Sequence, residues 1–162
     1  MRMSEGVEWA LHCCTVLALL PPDRSMASAR LAEFHEVPPA YLAKHLQALS
    51  RAGIVESGQG PRGGYRLAKP ASEITLLEVV LAVDGEDPAF RCTEIRQCGP
   101  SAGSPDLYPR ACGIARAMAA AEAAWRAELQ ARTIADLVDG LEVDVHPEVA
   151  SKAATWFTEV LR

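Results

Sequence analysis

Apolar positions recur at helical spacing over most of the chain. Between residues 7 and 20 they fall at Val7, Leu11, Cys14 and Leu17, which share one helix face. Pro21-Pro22 ends that run. A second, shorter helix is expected over 29–35, with Ser28 as its cap and Leu31 and Phe34 turned inward. Glu36-Val37-Pro38 makes a tight connection. A third helix opens on Pro38 or Pro39 as a first-turn proline and runs to about Ala52, where Gly53 stops it. Leu42, Leu46 and Leu49 are its buried stripe. Two short helices joined by so short a turn have the layout of a helix-turn-helix.

The pattern then changes period. Residues 54–57, a glycine-rich stretch over 58–64 and residues 65–67 read as strand, turn and strand. A hairpin placed directly after the second helix of a helix-turn-helix is a wing, and glycine at its tip lets backbone approach a phosphate. Thr75 caps a fourth helix over 76–83. Residues 84–110 carry Pro88, Gly99-Pro100, Gly103, Pro105 and Pro109 and read as a loop; one this long is functional or disordered. A long helix is expected over 110–132, with Ile114, Met118, Ala121, Trp125 and Leu129 at alternating spacings of four and three. At about 34 Å it outruns the small domain before it, so its apolar seam calls for a second copy, with packing inside the chain as the alternative. Thr133 caps a short helix over 134–138, an acidic stretch covers 139–148, and an amphipathic helix over 149–161 closes the chain.

The fold class is therefore mainly α with a small β-hairpin. Four parts are expected: a winged helix-turn-helix domain over 1–83, a cysteine-bearing loop over 84–109, a dimerisation helix region over 110–138, and a C-terminal acidic stretch and helix over 139–162.

Composition narrows the class. A chain of 162 residues holds one domain, or a small domain with an appendage. With 49% apolar and 23% charged residues it can bury a sizeable core, which excludes disorder as its main state. No apolar run is long enough to cross a membrane, and the first residues lack a signal-peptide pattern, so a cytoplasmic protein without membrane contact is expected. The net charge of −5 argues against nucleic acid until its distribution is read. Residues 24–69 carry seven bases against three acids, while the rest of the chain carries nine bases against eighteen acids. A basic segment in an acidic protein suits a local polyanion-binding face.

With the helix-turn-helix and wing, that charge makes double-stranded DNA the expected partner. The outer face of the third helix presents Ala40, Tyr41, Lys44, Gln47, Ala48 and Arg51. Lys44 or Gln47 is placed to reach base edges in the major groove, and Tyr41 to meet a phosphate or a thymine methyl. Arg62, beside Gly63 on the wing, suits the minor groove or a phosphate. Ser28 and the start of the second helix can hold a phosphate through backbone N–H groups. Two such heads on a two-fold dimer predict a pseudo-palindromic operator. No nucleophile–base pair, phosphate loop or nucleotide fingerprint is visible, so an enzyme is not expected.

Five cysteines are an odd number, whereas a secreted disulfide framework uses an even set in a shorter chain and a cytosol keeps thiols reduced, which leaves metal, redox chemistry or burial. Cys13 and Cys14 on the first helix read as small buried hydrophobes. Cys92, Cys98 and Cys112 follow C-x5-C-x13-C, which matches neither a zinc ribbon nor a ferredoxin run. Three thiols are one ligand short of a four-ligand cluster. Glu8 and His12, four residues apart on one helix face, can supply what is missing, with Glu5 a weaker candidate. Histidine ligation of a 2Fe–2S centre is established chemistry.

At this point a family resemblance emerges. Tyr41-Leu42, Leu46, Leu49, Arg51-Ala52-Gly53-Ile54-Val55, the wing from Gly60-Pro61-Arg62-Gly63-Gly64 to Tyr65-Arg66-Leu67, and Ile74-Thr75-Leu76-Leu77-Glu78-Val79-Val80 resemble the Rrf-type winged-helix regulators. That family includes IscR- and NsrR-like iron–sulfur regulators. The resemblance implies a homodimer joined by the long helix and a palindromic operator. It also implies an iron–sulfur cluster held by the cysteine loop near the first helix of the partner subunit. The family's usual three cysteines stand at short, near-equal spacings, whereas Cys112 here is displaced to the start of the long helix. The favoured ligand set is therefore mixed: Cys92 and Cys112 from one subunit, Glu8 and His12 from the other, around a 2Fe–2S centre. Cys98 is then a spare thiol or an alternative ligand, and a three-cysteine 4Fe–4S cluster is the other arrangement. The expected function is a dimeric regulator, a repressor by preference, sensing redox state or nitric oxide, with Trp9 beside Glu8 relaying the signal. The alternatives are a cluster-free winged-helix regulator with a Cys98–Cys112 thiol switch or a small-molecule ligand, and a structural zinc site at the same residues.

Overall fold

The computed structural model describes residues 3–58 and 63–161. Helix α1 (Glu5–Ala18) runs through the middle of the DNA-binding unit, and its inner face buries Val7, Ala10, Cys13, Cys14 and Leu17. Helices α2 (Ser28–His35) and α3 (Pro39–Arg51) follow. Between them Glu36 takes a left-handed backbone, φ 51°, and the Val37 N–H closes on the Ala32 carbonyl at 3.0 Å. That sharp reversal fits in three residues, as the sequence predicts. Pro39 sits in the first turn of α3. Gly53, at φ 69°, ends the helix from the left-handed region that glycine adopts without cost, and Ile54 N–H returns to the Leu49 carbonyl at 2.9 Å.

Ser28 does not cap α2. It is the helix's first residue, Ala27 precedes it, and no side chain accepts a bond there. The reason lies one residue earlier. Met26 is locked to Tyr65 by reciprocal backbone hydrogen bonds of 2.9 and 2.8 Å, so the chain turns helical as soon as it leaves that bridge. Strands β1 (Val55–Ser57) and β2 (Tyr65–Leu67) pair antiparallel with Val55 opposite Leu67 and Ser57 opposite Tyr65. Met26 thus adds a third, one-residue strand to the hairpin. The closeness explains Gly64: a Cβ there would stand 2.5 Å from the Met26 carbonyl carbon, a backbone atom that no rotamer change can move. This glycine serves packing at the base of the wing.

One core joins these parts. Leu31, Leu42, Leu46, Leu49, Ile54, Ile74, Val79 and Ile134 are fully buried around α1. Cys13 and Cys14 have no exposure. An unfolded thiol ionises near 9.0; burial pushes Cys13 up to about 12, and burial together with Cys13 pushes Cys14 higher still. A fold that holds protons more tightly than the unfolded chain loses stability as pH rises. The contribution is intact below about pH 9 and is lost from there to about pH 12, at up to about 1.4 kcal/mol per pH unit per thiol. Thermal melts should therefore fall steeply with alkaline pH in the wild type and less steeply in the Cys13→Ala/Cys14→Ala variant. Equal slopes would refute the assignment.

Helix α4 (Leu76–Asp84) starts with a reciprocal Thr75–Glu78 capping box, and Lys69 pairs with Glu78 at 2.7 Å. Helix α5 (Gly113–Gln130) begins three residues later than the periodicity predicts, with Cys112 as its N-cap residue. Helix α6 (Ile134–Asp144) opens on a second capping box, Thr133–Asp136, but does not stop at 138. The expected acidic stretch is largely helical, because Leu137 and Leu141 face inward while Asp139, Glu142 and Asp144 face water. Backbone bonds from Leu76 to Arg132 and from Ile134 to Ile74, each 2.9 Å, staple the α5–α6 turn to the start of α4.

Helix α7 (Pro147–Val160) turns back onto α2. Phe34 meets Trp156 at 4.9 Å and Phe157 at 5.1 Å between ring centroids. Residues 85–112 are not featureless, since they hold two single 3-10 turns, Ile95–Gln97 and Pro105–Leu107. No helix among the described residues is long and apolar enough to cross a membrane.

Candidate nucleic-acid interface and metal centre

The outer face of α3 carries polar groups over a closed apolar seam. Tyr41, Lys44, Gln47 and Arg51 are exposed, while Leu42, Leu46 and Leu49 have no exposure. Ser28, half-buried, stands in the first turn of α2. Arg62 lies outside the described residues, and Gly63 is half-buried at the edge of the wing. Three bases of the positive segment are already paired: Arg30 with Glu33 and Arg66 with Glu56, each at 2.6 Å, and Lys69 with Glu78. The first two pairs are half-exposed, so water screens them and a phosphate can compete for either base. Lys44 and Arg51 carry the positive charge of the α3 face itself.

The cysteine loop brings two of its three thiols together. The sulfurs of Cys92 and Cys112 and a carboxylate oxygen of Glu94 all lie within 4.8 Å of one another. Cys98 is exposed and outside that group. Glu94 escaped the sequence reading because a lone carboxylate in a loop carries no signal. Its spacing of two from Cys92 is the only hint. It takes a left-handed backbone, φ 50°, and its N–H reaches the Cys92 sulfur at 3.4 Å. Cys112 is buried at the N-terminus of α5. The backbone N–H groups at the start of α5, those of Ala115 and Ile114 foremost, and the Arg96 guanidinium lie near its sulfur and hold its pKa below the usual thiol value.

On α1, Glu8 and His12 are exposed one turn apart and border a groove of about 680 Å³ between α1 and α6. His12 lies 5.5 Å from the His35 ring. Neither Glu8 nor His12 joins the cysteine group of its own chain. Trp9, half-buried, meets the ring of His45 on α3 edge-on at 6.0 Å. Gly6 packs so closely on His45 that a Cβ would overlap its ring. Residues 6–9 of α1 thus bear directly on the helix that presents Lys44 and Gln47.

Residues 3–140 match the family model described as Rrf2, iron-dependent transcriptional regulator. The chain belongs to the Rrf2 family. A relative named as an HTH-type transcriptional regulator, YffB of Lactococcus lactis, is 32% identical over 118 residues, 73% of this chain and 74% of its own. Among solved structures, IscR of T. potens superposes with a TM-score of 0.68 at 16% identity, covering 90% of this chain and 92% of its own. CymR of B. subtilis, titled the global cysteine regulator, gives 0.65 at 19%, covering 86% and 97%. These two likenesses establish the fold. Family and fold together make this Rrf2 protein a DNA-binding transcriptional regulator and not an enzyme.

The donor set of the Rrf2 chain suits iron. Two thiols close together, one of them stabilised as thiolate by helix N–H groups, are what a soft metal centre requires. The seam on α5 divides. Ile114 and Met118 are 65% and 43% exposed, and Ala121 is exposed as well. Trp125 is half-buried beside Arg126, and Leu129 packs on the core. Among the described residues, the first half of the helix is therefore the part whose apolar seam is left exposed.

Proposed function

We propose that this regulator is a homodimeric repressor whose DNA affinity answers to redox state or nitric oxide through an iron–sulfur cluster. The observation that carries the reading is the meeting of Cys92 with Cys112 across the loop while Cys98 stands apart. Cys92 and Cys112 hold the group from one subunit, and the exposed Glu8 and His12 hold it from the first helix of the other. Such a mixed set matches a 2Fe–2S centre better than a three-cysteine 4Fe–4S one. When bound, the group supplies a one-electron change of charge at the subunit junction.

The rest belongs to the chain. Ile114, Met118 and Ala121, continued by Trp125 and Leu129, form the dimer seam. Lys44, Gln47, Tyr41 and Arg51 read an operator half-site in the major groove, with Ser28, Arg62 and Gly63 against the backbone. Glu8 anchors α1 at the junction, and Trp9 passes any shift of α1 to α3 through His45. Two heads related by a two-fold axis fit a pseudo-palindromic operator in double-stranded DNA.

The test is the visible spectrum and the iron and sulfide content of anaerobically purified protein. Wild type should be coloured, with about two irons per cluster. Cys92→Ala and Cys112→Ala should abolish the colour, His12→Ala and Glu8→Ala should alter it, and Cys98→Ala should keep it. In DNA binding, Trp9→Phe should lose the redox dependence and keep basal affinity. Loss of colour at Cys98 equal to that at Cys92 would move the assignment to three cysteines. A colourless, iron-free wild type would replace it with a thiol switch, for which the two adjacent sulfurs are Cys92 and Cys112.

A further inference from the structure

Cys92 and Cys112 are twenty positions apart, and an unconstrained chain of that length holds its ends roughly 22–27 Å apart. Their sulfurs nevertheless lie within 4.8 Å. The backbone bonds of the two 3-10 turns are local and do not join the ends of the loop. Glu122 and Arg126 of α5 hold the loop's first residues, at the Ala89 N–H and the Glu86 carbonyl. Within the loop, one side chain ties the Cys92 end to the Cys112 end. Arg96 presents its Nε to the Glu94 carboxylate at 2.5 Å, next to Cys92. It presents a terminal nitrogen to the backbone carbonyl of Arg110 at 3.1 Å, two residues before Cys112. Its guanidinium carbon, Cζ, lies over the Tyr108 ring, 5.0 Å from the ring centre. The Tyr108 hydroxyl donates to the Arg96 carbonyl at 2.8 Å and accepts from the Gly103 N–H at 3.2 Å, which fixes the ring on which Arg96 rests.

We propose that Arg96, seated on Tyr108, is a clasp that closes the neck of the loop and sets Cys92 and Cys112 at chelating distance before any metal arrives. It is a positioning residue and not a ligand. A guanidinium can do this because it is planar and offers separate edges to Glu94 and to Arg110 while its face stacks on an aromatic ring. Lysine keeps the charge but is a single point that cannot bridge both ends. The inference deepens the proposed metal site, yet its test does not need that site to be filled.

The probe is phenylarsine oxide, which condenses with two nearby thiols and releases its oxygen as water. It is added to reduced, cluster-free, full-length protein in a Cys98→Ala background. There Cys92 is exposed and Cys112, though buried, keeps 8% of its surface open to solvent at the loop's edge, whereas Cys13 and Cys14 in the core keep none. The clasp predicts tight one-to-one capture. It also predicts that Arg96→Ala and Arg96→Lys both weaken capture by at least about tenfold, the loss expected when two linked groups no longer share a geometry. A monothiol reagent should still count two reactive thiols in each protein, and the melting curves should coincide, because the loop lies outside the core. Equal capture by all three proteins would overturn the proposal. So would full rescue by lysine, which would reduce Arg96 to a nearby charge. Should the wild type carry no iron and sulfide, the cluster reading falls, and the arsenical result still decides the clasp.

Discussion

Alanine placed together at Lys44, Gln47 and Arg51 is expected to lower operator affinity at least about a hundredfold and to leave the melting curve in place. The three side chains are exposed on one face of α3, and none belongs to the core. Leu42, Leu46 and Leu49, fully buried on the other face, hold the helix. Alanine also favours helix, so the scaffold loses nothing by the change. Each base or phosphate contact of this kind is worth about 1–3 kcal/mol. Three at the low end give about 3 kcal/mol, which is roughly a hundredfold. The salt dependence should become shallower by about one unit for each phosphate partner removed. Fluorescence anisotropy on an operator fragment selected from genomic DNA, at two salt concentrations, reads both quantities. Affinity within about threefold of wild type would mean that another face meets the DNA.

Why that face was legible in the sequence, and the cysteine site only in half, has a physical cause. Helix periodicity writes burial directly into the chain, so Leu42, Leu46 and Leu49 mark the inside and Lys44, Gln47 and Arg51 the outside before any fold is known. Caps are equally local: Thr75 and Thr133 both cap as the sequence predicts, and each does so in a reciprocal box. Ser28 fails by the same logic: its site depends on the Met26–Tyr65 bridge, a contact between residues far apart in the chain. The helical course of residues 139–144 was hidden because acidic residues dominate the composition while Leu137 and Leu141 set the buried side. In the loop, the type of chemistry was written in the cysteines. The choice of Cys92 with Cys112, the presence of Glu94 and the bond from Arg96 to Arg110 all follow from how the loop closes. No period of two or 3.6 encodes that.

Ending the chain after Val145 is expected to destabilise it by about 3–5 kcal/mol, although the family match stops at residue 140, short of α7. Trp156, Phe157 and Phe34 of α2 form a triangle of rings, with Trp156 and Phe157 themselves 5.4 Å apart, and Val160 and Leu161 also pack against the core. Full burial of such a side chain stabilises by about 1.5–3 kcal/mol. These four are half-buried, so half of four such contributions gives about 3–6 kcal/mol, while the backbone hydrogen bonds of α7 largely offset the entropy of ordering it. The loss falls on the helix-turn-helix itself, since Phe34 lies in its first helix and Leu161 borders a cleft shared with Met26, Arg30 and Gly63 at the base of the wing. Urea denaturation of the full and shortened chains gives the total. Phe34→Ala made in both chains then separates its cause: contact with α7 predicts a large cost in the full chain and a much smaller one in the shortened chain. Equal costs would show that α7 lies on Phe34 without supporting it, and an unchanged urea midpoint on truncation would remove α7 from the stabilising core altogether.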